Sequence, residues 1–361
     1  MMNVGIIGSG QLGWMTIIEG RKLPNNYYIL DESAGPAARV ADGYFAVGSY
    51  RDFVERCDVI TYEFEHVNEQ ALMHAYRSGK LLPGMKPIEL KRERILEKEY
   101  LRDEGFPVAD FYVAMDATEA RKLATRFESA VIKSSRGGYD GKGQFYTDRS
   151  TADKLELGMK GRFVVEERID FEAEASIIAS RGPDGTFRAH RPSFNLNKKG
   201  MLFYNMAPYR DFGMRKIASS LLERLGYVGV MGIEFFIRDG KAMINEIAPR
   251  VHNTGHHTLH GSSISQFEQH VRAITGLPVP EPELFVPSGV LNIIGVRIDR
   301  EMEERILSVP GTTLYWYGKE GIRRRRKVGH VNIMAKTTGS LKKKMEELTE
   351  TVYAGRPEDY L

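Results

Sequence analysis

The chain holds a single cysteine, Cys57. No intrachain disulfide can form and no thiolate zinc cluster can be built, and a reducing compartment fits. Charge of one sign is scarce too. Against 51 Lys+Arg stand 48 Asp+Glu, a net +3, too small a field for a protein whose main business is nucleic acid or anionic membrane. Long apolar runs are missing. The best buried stretch, Val228 to Ile237, is interrupted by Glu234 and falls short of the ~20 apolar residues of a membrane helix. Met1-Met2-Asn3-Val4 carries no basic segment leading into an apolar one, so a soluble, cytoplasmic protein is expected. There is no internal repeat and no low-complexity segment. What remains is 361 residues, 42% hydrophobic and 27% charged, which suits two or three globular domains of roughly 150 residues each.

Glycine is the residue in excess, 36 in all, and it clusters. Val4, Ile6 and Ile7 read as a strand, Gly8-Ser9-Gly10-Gln11-Leu12-Gly13 as a turn, and Trp14 to Lys22 as a helix. Further strands are expected at Tyr27 to Leu30 and Cys57 to Tyr62, giving a small parallel α/β sheet. Pro83, Gly84 and Pro87 mark a boundary. One charged helix is expected from Glu89 to Gly105, stopped by Gly105-Phe106-Pro107. Strands follow at Val131 to Lys133, Phe163 to Glu167 and Ala175 to Ala179, and a helix at Arg215 to Leu225. A hairpin pairs Val228 to Ile237 with Lys241 to Ile247 around Asp239-Gly240. Pro278, Pro280, Pro282 and Pro287 resemble a linker. Beyond them, Val290 to Val296 and Val331 to Met334 are β-like, and a final helix carries Leu341, Met345, Leu348 and Val352 on one stripe.

Five constellations could carry chemistry. The Gly8-x-Gly10-x-x-Gly13 turn, with Asp31 about 20 residues on, reads by itself as a dinucleotide site. Lys133 precedes Arg136-Gly137-Gly138-Tyr139-Asp140-Gly141-Lys142-Gly143, a loop whose amides and cations suit phosphates; it lacks the Gly-Lys-Ser/Thr of a P-loop. Glu234 and Glu246 sit in otherwise apolar strands, where charge is costly unless paired or metal-bound. With a three-residue Arg238-Asp239-Gly240 loop they share a face as diagonal neighbours and could share Mg²⁺; with an Asp239-Gly240 loop they fall on opposite faces. The three-residue form is the expectation. Four of the nine histidines, His252, His256, His257 and His260, crowd one segment after Pro249-Arg250. A polar substrate pocket is favoured there over zinc, since no cysteine is near and Gly255 breaks a helix. Last, Lys319 to Lys327 holds Arg323-Arg324-Arg325-Arg326-Lys327, a local phosphate site rather than a nucleic-acid patch.

Together these stretches resemble an ATP-grasp ligase, and most closely the family of 5-(carboxyamino)imidazole ribonucleotide synthase (N5-carboxyaminoimidazole ribonucleotide synthetase). Carrying the likeness are Gly8 to Gly13, Tyr62-Glu63-Phe64-Glu65, Gly137 to Gln144, Glu234-Phe235, Asn245-Glu246-Ile247-Ala248-Pro249-Arg250-Val251-His252-Asn253, Ser265-Gln266-Phe267-Glu268 and Arg326-Lys327-Val328-Gly329-His330. The resemblance implies that Arg94 and Lys133 contact ATP phosphates and that Gly138, Tyr139, Asp140, Gly141, Lys142, Gly143 and Gln144 form a closing loop. It makes Glu166, Glu167, Arg168 and Ile169 the adenine hinge and Glu174 the ribose ligand, with Asn197 and Asn245 beside the nucleotide. Glu234 and Glu246 would hold Mg²⁺. Gln11, Leu12, Glu63, Tyr139, Asp140, Lys142, Arg250, His252, Asn253 and His256 would bind aminoimidazole ribonucleotide. Lys319, Arg326 and Lys327 would grip its 5′-phosphate. Lys133, Arg250 and His256 would be catalytic, His256 as the group that helps remove the amine proton.

The chain departs from the family pattern at Ser9, Trp14, Ser134, Ser135, Asn197 and His257. The expected architecture is α/β: a Rossmann-like (pre-ATP-grasp) domain over 1–90, an ATP-grasp domain over 91–280 with a lid lobe at about 105–170, and a small C-terminal domain over 281–361. The resemblance implies ATP and Mg²⁺ as cofactors, aminoimidazole ribonucleotide and bicarbonate as substrates, carboxyphosphate as intermediate, a place in purine synthesis, no nucleic-acid or membrane partner, and a homodimer. The rival readings are a formate-using ligase acting on glycinamide ribonucleotide, a nicotinamide-dependent dehydrogenase and a non-catalytic nucleotide-binding module.

Overall fold

The structure, a computed structural model, describes residues 1–137, 143–319 and 321–361. The chain opens with β1 (Asn3–Ile7), β2 (Asn26–Asp31), β3 (Gly43–Ala46) and β4 (Val59–Tyr62) in a parallel sheet of order β3-β2-β1-β4. Apolar side chains fill both of its faces, Ile7, Leu30 and Ile60 on one and Val4, Ile6 and Ile29 on the other, as a sheet covered on two sides requires. The helix Gln11–Gly20 leaves β1 directly after the Gly-rich turn.

The expected Glu89–Gly105 helix is in fact two, Met85–Arg92 and Arg94–Asp103, broken at Glu93, whose backbone is extended. The buried Glu93 carboxylate holds Arg136 and Arg162 of the following lobe. That lobe is an antiparallel sheet of β5 (Phe111–Ala114), β6 (Ser129–Ser134), β7 (Gln144–Asp148) and β8 (Phe163–Glu167), ordered β5-β8-β6-β7.

The largest sheet begins with β9 (Ala173–Arg181), β10 (Phe187–Ala189), β11 (Ser193–Lys198), β12 (Met201–Ala207), β13 (Gly229–Arg238) and β14 (Lys241–Ala248). It continues into the C-terminal segment with β15 (Ser288–Ile294), β16 (Thr312–Trp316) and β17 (Lys327–Met334), in the order β14-β13-β9-β11-β12-β15-β17-β16. The C-terminal unit thus extends the central sheet rather than forming one of its own. The capped helix Thr338–Tyr353 packs Leu341, Met345, Leu348 and Val352 into the core beneath β15 and β17, each side chain contributing about 1.5–3 kcal/mol.

The β13–β14 hairpin departs from the expected register. Arg238 pairs with Lys241, so the loop is the two residues Asp239 and Gly240, both at positive φ (51° and 66°), as a tight hairpin turn demands. By alternation alone this loop would put Glu234 and Glu246 on opposite faces. A bulge intervenes: Phe235 pairs with Ile244 but Glu234 with Glu246, leaving Asn245 as the extra residue.

Candidate active site

A cleft of about 840 Å³ is lined by the lobe β5–β8, the large sheet, Gln11 and Leu12 after the Gly-rich turn, and the basic segment 323–327. Nearly every residue singled out in the sequence reaches it: Gln11, Leu12, Arg94, Lys133, Gln144, Glu166, Glu167, Arg168, Ile169, Glu174, Asn197, Glu234, Asn245, Glu246, Arg250, His252, Asn253, His256, Lys319, Arg326 and Lys327 all line it. Gly138, Tyr139, Asp140, Gly141 and Lys142 lie outside the described residues. Gly143 is not at the wall; its carbonyl accepts from Ser134 N at 2.9 Å and closes the β6–β7 hairpin.

Glu63 is the clear exception. Its carboxylate is folded into the Gly-rich turn, accepting from the amides of Gly10 and Gly13, the latter at 2.6 Å. A Cβ on Gly10 would come within 2.5 Å of that carboxylate. Burial raises the Glu63 pKa and the two amides oppose the rise. Asp31, the expected ribose acid, accepts from Ser9 N at 2.7 Å. The turn's anion-binding capacity is therefore satisfied from inside the protein. This removes the basis of the dinucleotide reading and takes Glu63 out of the substrate-contacting set; Gln11 and Leu12, on the helix it anchors, keep their places at the wall.

At the β6–β8 end, Glu166 is sandwiched between Lys98 and Lys133, each 3.0 Å away. Burial alone would raise Glu166, but the two ammonium groups hold it down to about 2. Burial depresses Lys133 to about 8 despite Glu166. Arg94 donates to Ser134 O at 2.6 Å, tying this lobe to the start of its helix. Phe171 and Phe236 stack at 4.7 Å beside them. Glu174 is raised by burial, with Asn197 pulling the other way through hydrogen bonds.

In the middle stand Glu234 and Glu246. Glu234 is raised by burial and by the Glu246 charge, while Lys91, against the effect of burial, holds Glu246 down. Donor atoms of Glu234, Glu246 and His252 all lie within 4.8 Å of one another. Two adjacent carboxylates fit a hard divalent cation, since Mg²⁺ usually takes one or two carboxylates plus phosphate oxygens. The histidines do not assemble a zinc site: His256 Nδ1 is engaged by Gln266 at 3.2 Å, away from the carboxylates.

That contact fixes a tautomer. Gln266 Oε1 accepts from His252 N at 2.8 Å, so its Nε2 is the donor, to His252 O at 2.7 Å and to His256 Nδ1. Burial keeps His256 neutral. Its proton therefore sits on Nε2, and the ring offers a hydrogen-bond donor rather than the free basic nitrogen that the expected role in proton removal would use. Arg250 is held on Glu65 by contacts of 3.0 and 3.3 Å. Asn253 carries a buried amide with neither its nitrogen nor its oxygen hydrogen-bonded, as a ligand-contacting amide would. Trp14, a departure from the family pattern, packs edge-on against Tyr315 and Tyr317 at 6.2 and 6.3 Å.

Sequence reasoning missed Lys91, Glu97, Lys98, Phe171 and Phe236 as lining residues. For Glu97 and Lys98 a signal existed. Glu97 and Lys98 share a helix face with the buried Ile95 and Leu101, and charge inside an apolar stripe marks a paired or functional group.

Three family models divide the chain: the ribonucleotide synthetase preATP-grasp domain over residues 1–91, the ATP-grasp domain over 99–267 and the phosphoribosylaminoimidazole carboxylase C-terminal domain over 288–344. N5-carboxyaminoimidazole ribonucleotide synthase of Saccharolobus solfataricus is 46% identical over 354 residues, 97% of this chain and 96% of the relative. Its counterpart in Aquifex aeolicus is 43% identical over 360 residues, 96% of each. The crystal structure of the phosphoribosylaminoimidazole carboxylase ATPase subunit from Aquifex aeolicus matches with a TM-score of 0.85 at 41% identity, covering 97% of this chain and 100% of that one. The Aspergillus clavatus N5-carboxyaminoimidazole synthase, in complex with ADP and 5-aminoimidazole ribonucleotide, matches with a TM-score of 0.88 at 27% identity, covering 97% and 98%. On full-length similarity of this degree, the chain belongs to the N5-carboxyaminoimidazole ribonucleotide synthase family of ATP-grasp proteins.

Proposed function

We propose that the protein is an ADP-forming ATP-grasp ligase that carboxylates 5-aminoimidazole ribonucleotide with bicarbonate, giving N5-carboxyaminoimidazole ribonucleotide in purine biosynthesis. The observation that supports the reading is one continuous cleft whose wall holds Lys133 and Glu166, the carboxylates Glu234 and Glu246, and the cations Lys319, Arg326 and Lys327. ATP occupies the space between β6–β8 and β9–β14. Lys133 and Arg94 face its phosphates, Glu167 to Ile169 the adenine, and Glu174 the ribose. Phosphoryl transfer rests on positioning and charge neutralisation more than on a protein base. Glu234 and Glu246 would hold Mg²⁺, which would supply charge neutralisation to the phosphates.

Bicarbonate takes the γ-phosphoryl group to give carboxyphosphate and ADP, and the exocyclic amine of the ribonucleotide then attacks the carboxyl carbon or CO₂ released from it, with inorganic phosphate as the leaving group and the acceptor of the amine proton. Arg250, immobilised on Glu65, presents fixed positive charge to these anions. His256 donates through Nε2, and the unpaired amide of Asn253 orients the base. Lys319, Arg326 and Lys327 bind the ribonucleotide phosphate. Water must be kept from carboxyphosphate, which otherwise hydrolyses. A homodimer and a cytoplasmic setting complete the proposal.

ADP release that requires both bicarbonate and 5-aminoimidazole ribonucleotide is the test. ADP release with formate and glycinamide ribonucleotide instead would replace this reading with the related ligase.

A further inference from the structure

Beside the carboxylate pair stands a cation that the reaction just described does not use. Lys91 is on the last turn of the helix Met85–Arg92, and its side chain, 17% exposed, reaches the cleft wall. Its ammonium donates to Glu246 Oε2 at 3.1 Å and lies 3.6 Å from Glu97 Oε2. Glu97 is fixed in turn: its other oxygen accepts from Ile247 N at 2.9 Å, the amide next to Glu246 on β14. The ammonium is therefore set between two carboxylates on two different elements, and a third, Glu234, stands across the ladder from Glu246.

We propose that Lys91 is the resident counter-ion of the metal pair: without a divalent cation its ammonium neutralises Glu246, and it competes with the cation for that carboxylate. The proposal rests on reading Glu234 and Glu246 as the metal ligands. Carboxylates crowded together repel one another and raise the energy of the folded chain. An ammonium between them relieves that repulsion while no metal is bound. The same ammonium opposes an incoming divalent ion, because like charges a few ångströms apart repel one another. The bare ion is then held weakly, and it is retained when it enters with the negative charge of nucleotide phosphates. A lysine suits this task, being a compact charge on a flexible stem that can yield its place.

The test uses Mn²⁺ as the probe, with nucleotide-free full-length protein, free Mn²⁺ read by electron paramagnetic resonance, and melting followed in chelator and in Mn²⁺. K91M removes the charge and keeps the stem; K91R keeps the charge. K91M should bind Mn²⁺ at least about tenfold tighter than the unmodified protein, by removal of one nearby positive charge. K91M should also melt lower in chelator, and gain more from Mn²⁺. K91R should stay within about threefold of the unmodified protein, since the charge is retained. Equal or weaker Mn²⁺ binding by K91M, while the unmodified protein binds it, overturns the counter-ion proposal alone. If neither protein binds Mn²⁺, with or without ADP, the metal pair itself is misread. K91M that folds only with Mn²⁺ supports the proposal; K91M that fails to fold even then overturns it, because the ammonium would be doing something a divalent ion cannot replace.

Discussion

Glu234 and Glu246 face each other directly across the β13–β14 ladder, although the two-residue turn would by alternation have set them on opposite faces. Asn245, the extra residue of the bulge, shifts the register by one and returns Glu246 to the cleft side. The metal site proposed on this hairpin thus depends on a local irregularity in an otherwise regular strand.

Glu246→Gln keeps the shape and the hydrogen-bonding reach of the side chain and removes its charge. Outer partners of metal ligands are worth roughly 10–100-fold, so loss of a ligand should lower turnover at least about a hundredfold. The variant should keep its fold, since Glu246 is open to the cleft rather than part of the core. Mg²⁺-dependent ADP release close to that of the unmodified enzyme would reject the metal assignment.

Glu63→Gln tests the self-filled turn. The amide replaces a charge-assisted acceptor of two backbone N–H groups and sets a donor against one of them, which should cost about 1–3 kcal/mol of stability. A urea midpoint unchanged by the substitution would contradict the anchoring role. The unmodified protein should show no NADH binding, because the amides a pyrophosphate would need are taken by Glu63.

His256→Gln carries an N–H donor near the position of Nε2. If His256 donates, kcat should fall by no more than about tenfold and the pH–rate profile should keep its shape; a general base contributes roughly 10²–10⁴-fold. A loss in that larger range together with a missing limb of the profile would restore the proton-removing role.

Arg326→Ala should raise KM for aminoimidazole ribonucleotide roughly 10- to 150-fold, the equivalent of one charge-assisted contact of about 1.5–3 kcal/mol. KM for ATP should hardly move if, as proposed, the ATP phosphates are bound by Lys133 and Arg94. A rise for ATP alone would put the basic segment in the wrong subsite.

Acid should destabilise the fold through buried histidines. Burial depresses His257 and His270 to about 4 and His190 and His330 to about 3. Each is neutral when folded and takes up a proton on unfolding once the pH drops below about 6.5. Their contribution is therefore complete above that pH and is lost on the way down toward 4, at up to about 1.4 kcal/mol per pH unit for each group. Glu63 and Glu97, raised by burial, act in the opposite sense and reduce the slope. A urea midpoint equal at pH 7 and pH 5 would refute the net effect.

Much of this protein was legible in its residues. The order β1, Gly-rich turn, helix was written in Val4 to Gly13, and the final helix in the spacing of Leu341, Met345, Leu348 and Val352. The cleft-lining residues from Asn245 to His256 were recognisable through their resemblance to the motif of a known family. Local preference and apolar periodicity depend on neighbours a few positions away, and a linear chain displays them. Other features depend on partners far off in sequence. Glu93 breaks a helix whose pattern is continuous because Arg136 and Arg162 arrive from another lobe. Glu63 fills a turn that reads as a ligand site because β4 runs parallel to β1 and brings its carboxylate over the glycines. The bulge at Asn245 places Glu246 on the cleft side. Gln266 chooses the tautomer of His256. The sequence by itself determined which groups are available. Which charges cancel, and which nitrogen holds a proton, was decided only by tertiary structure, since electrostatic and hydrogen-bond energies follow distance in space rather than position along the chain.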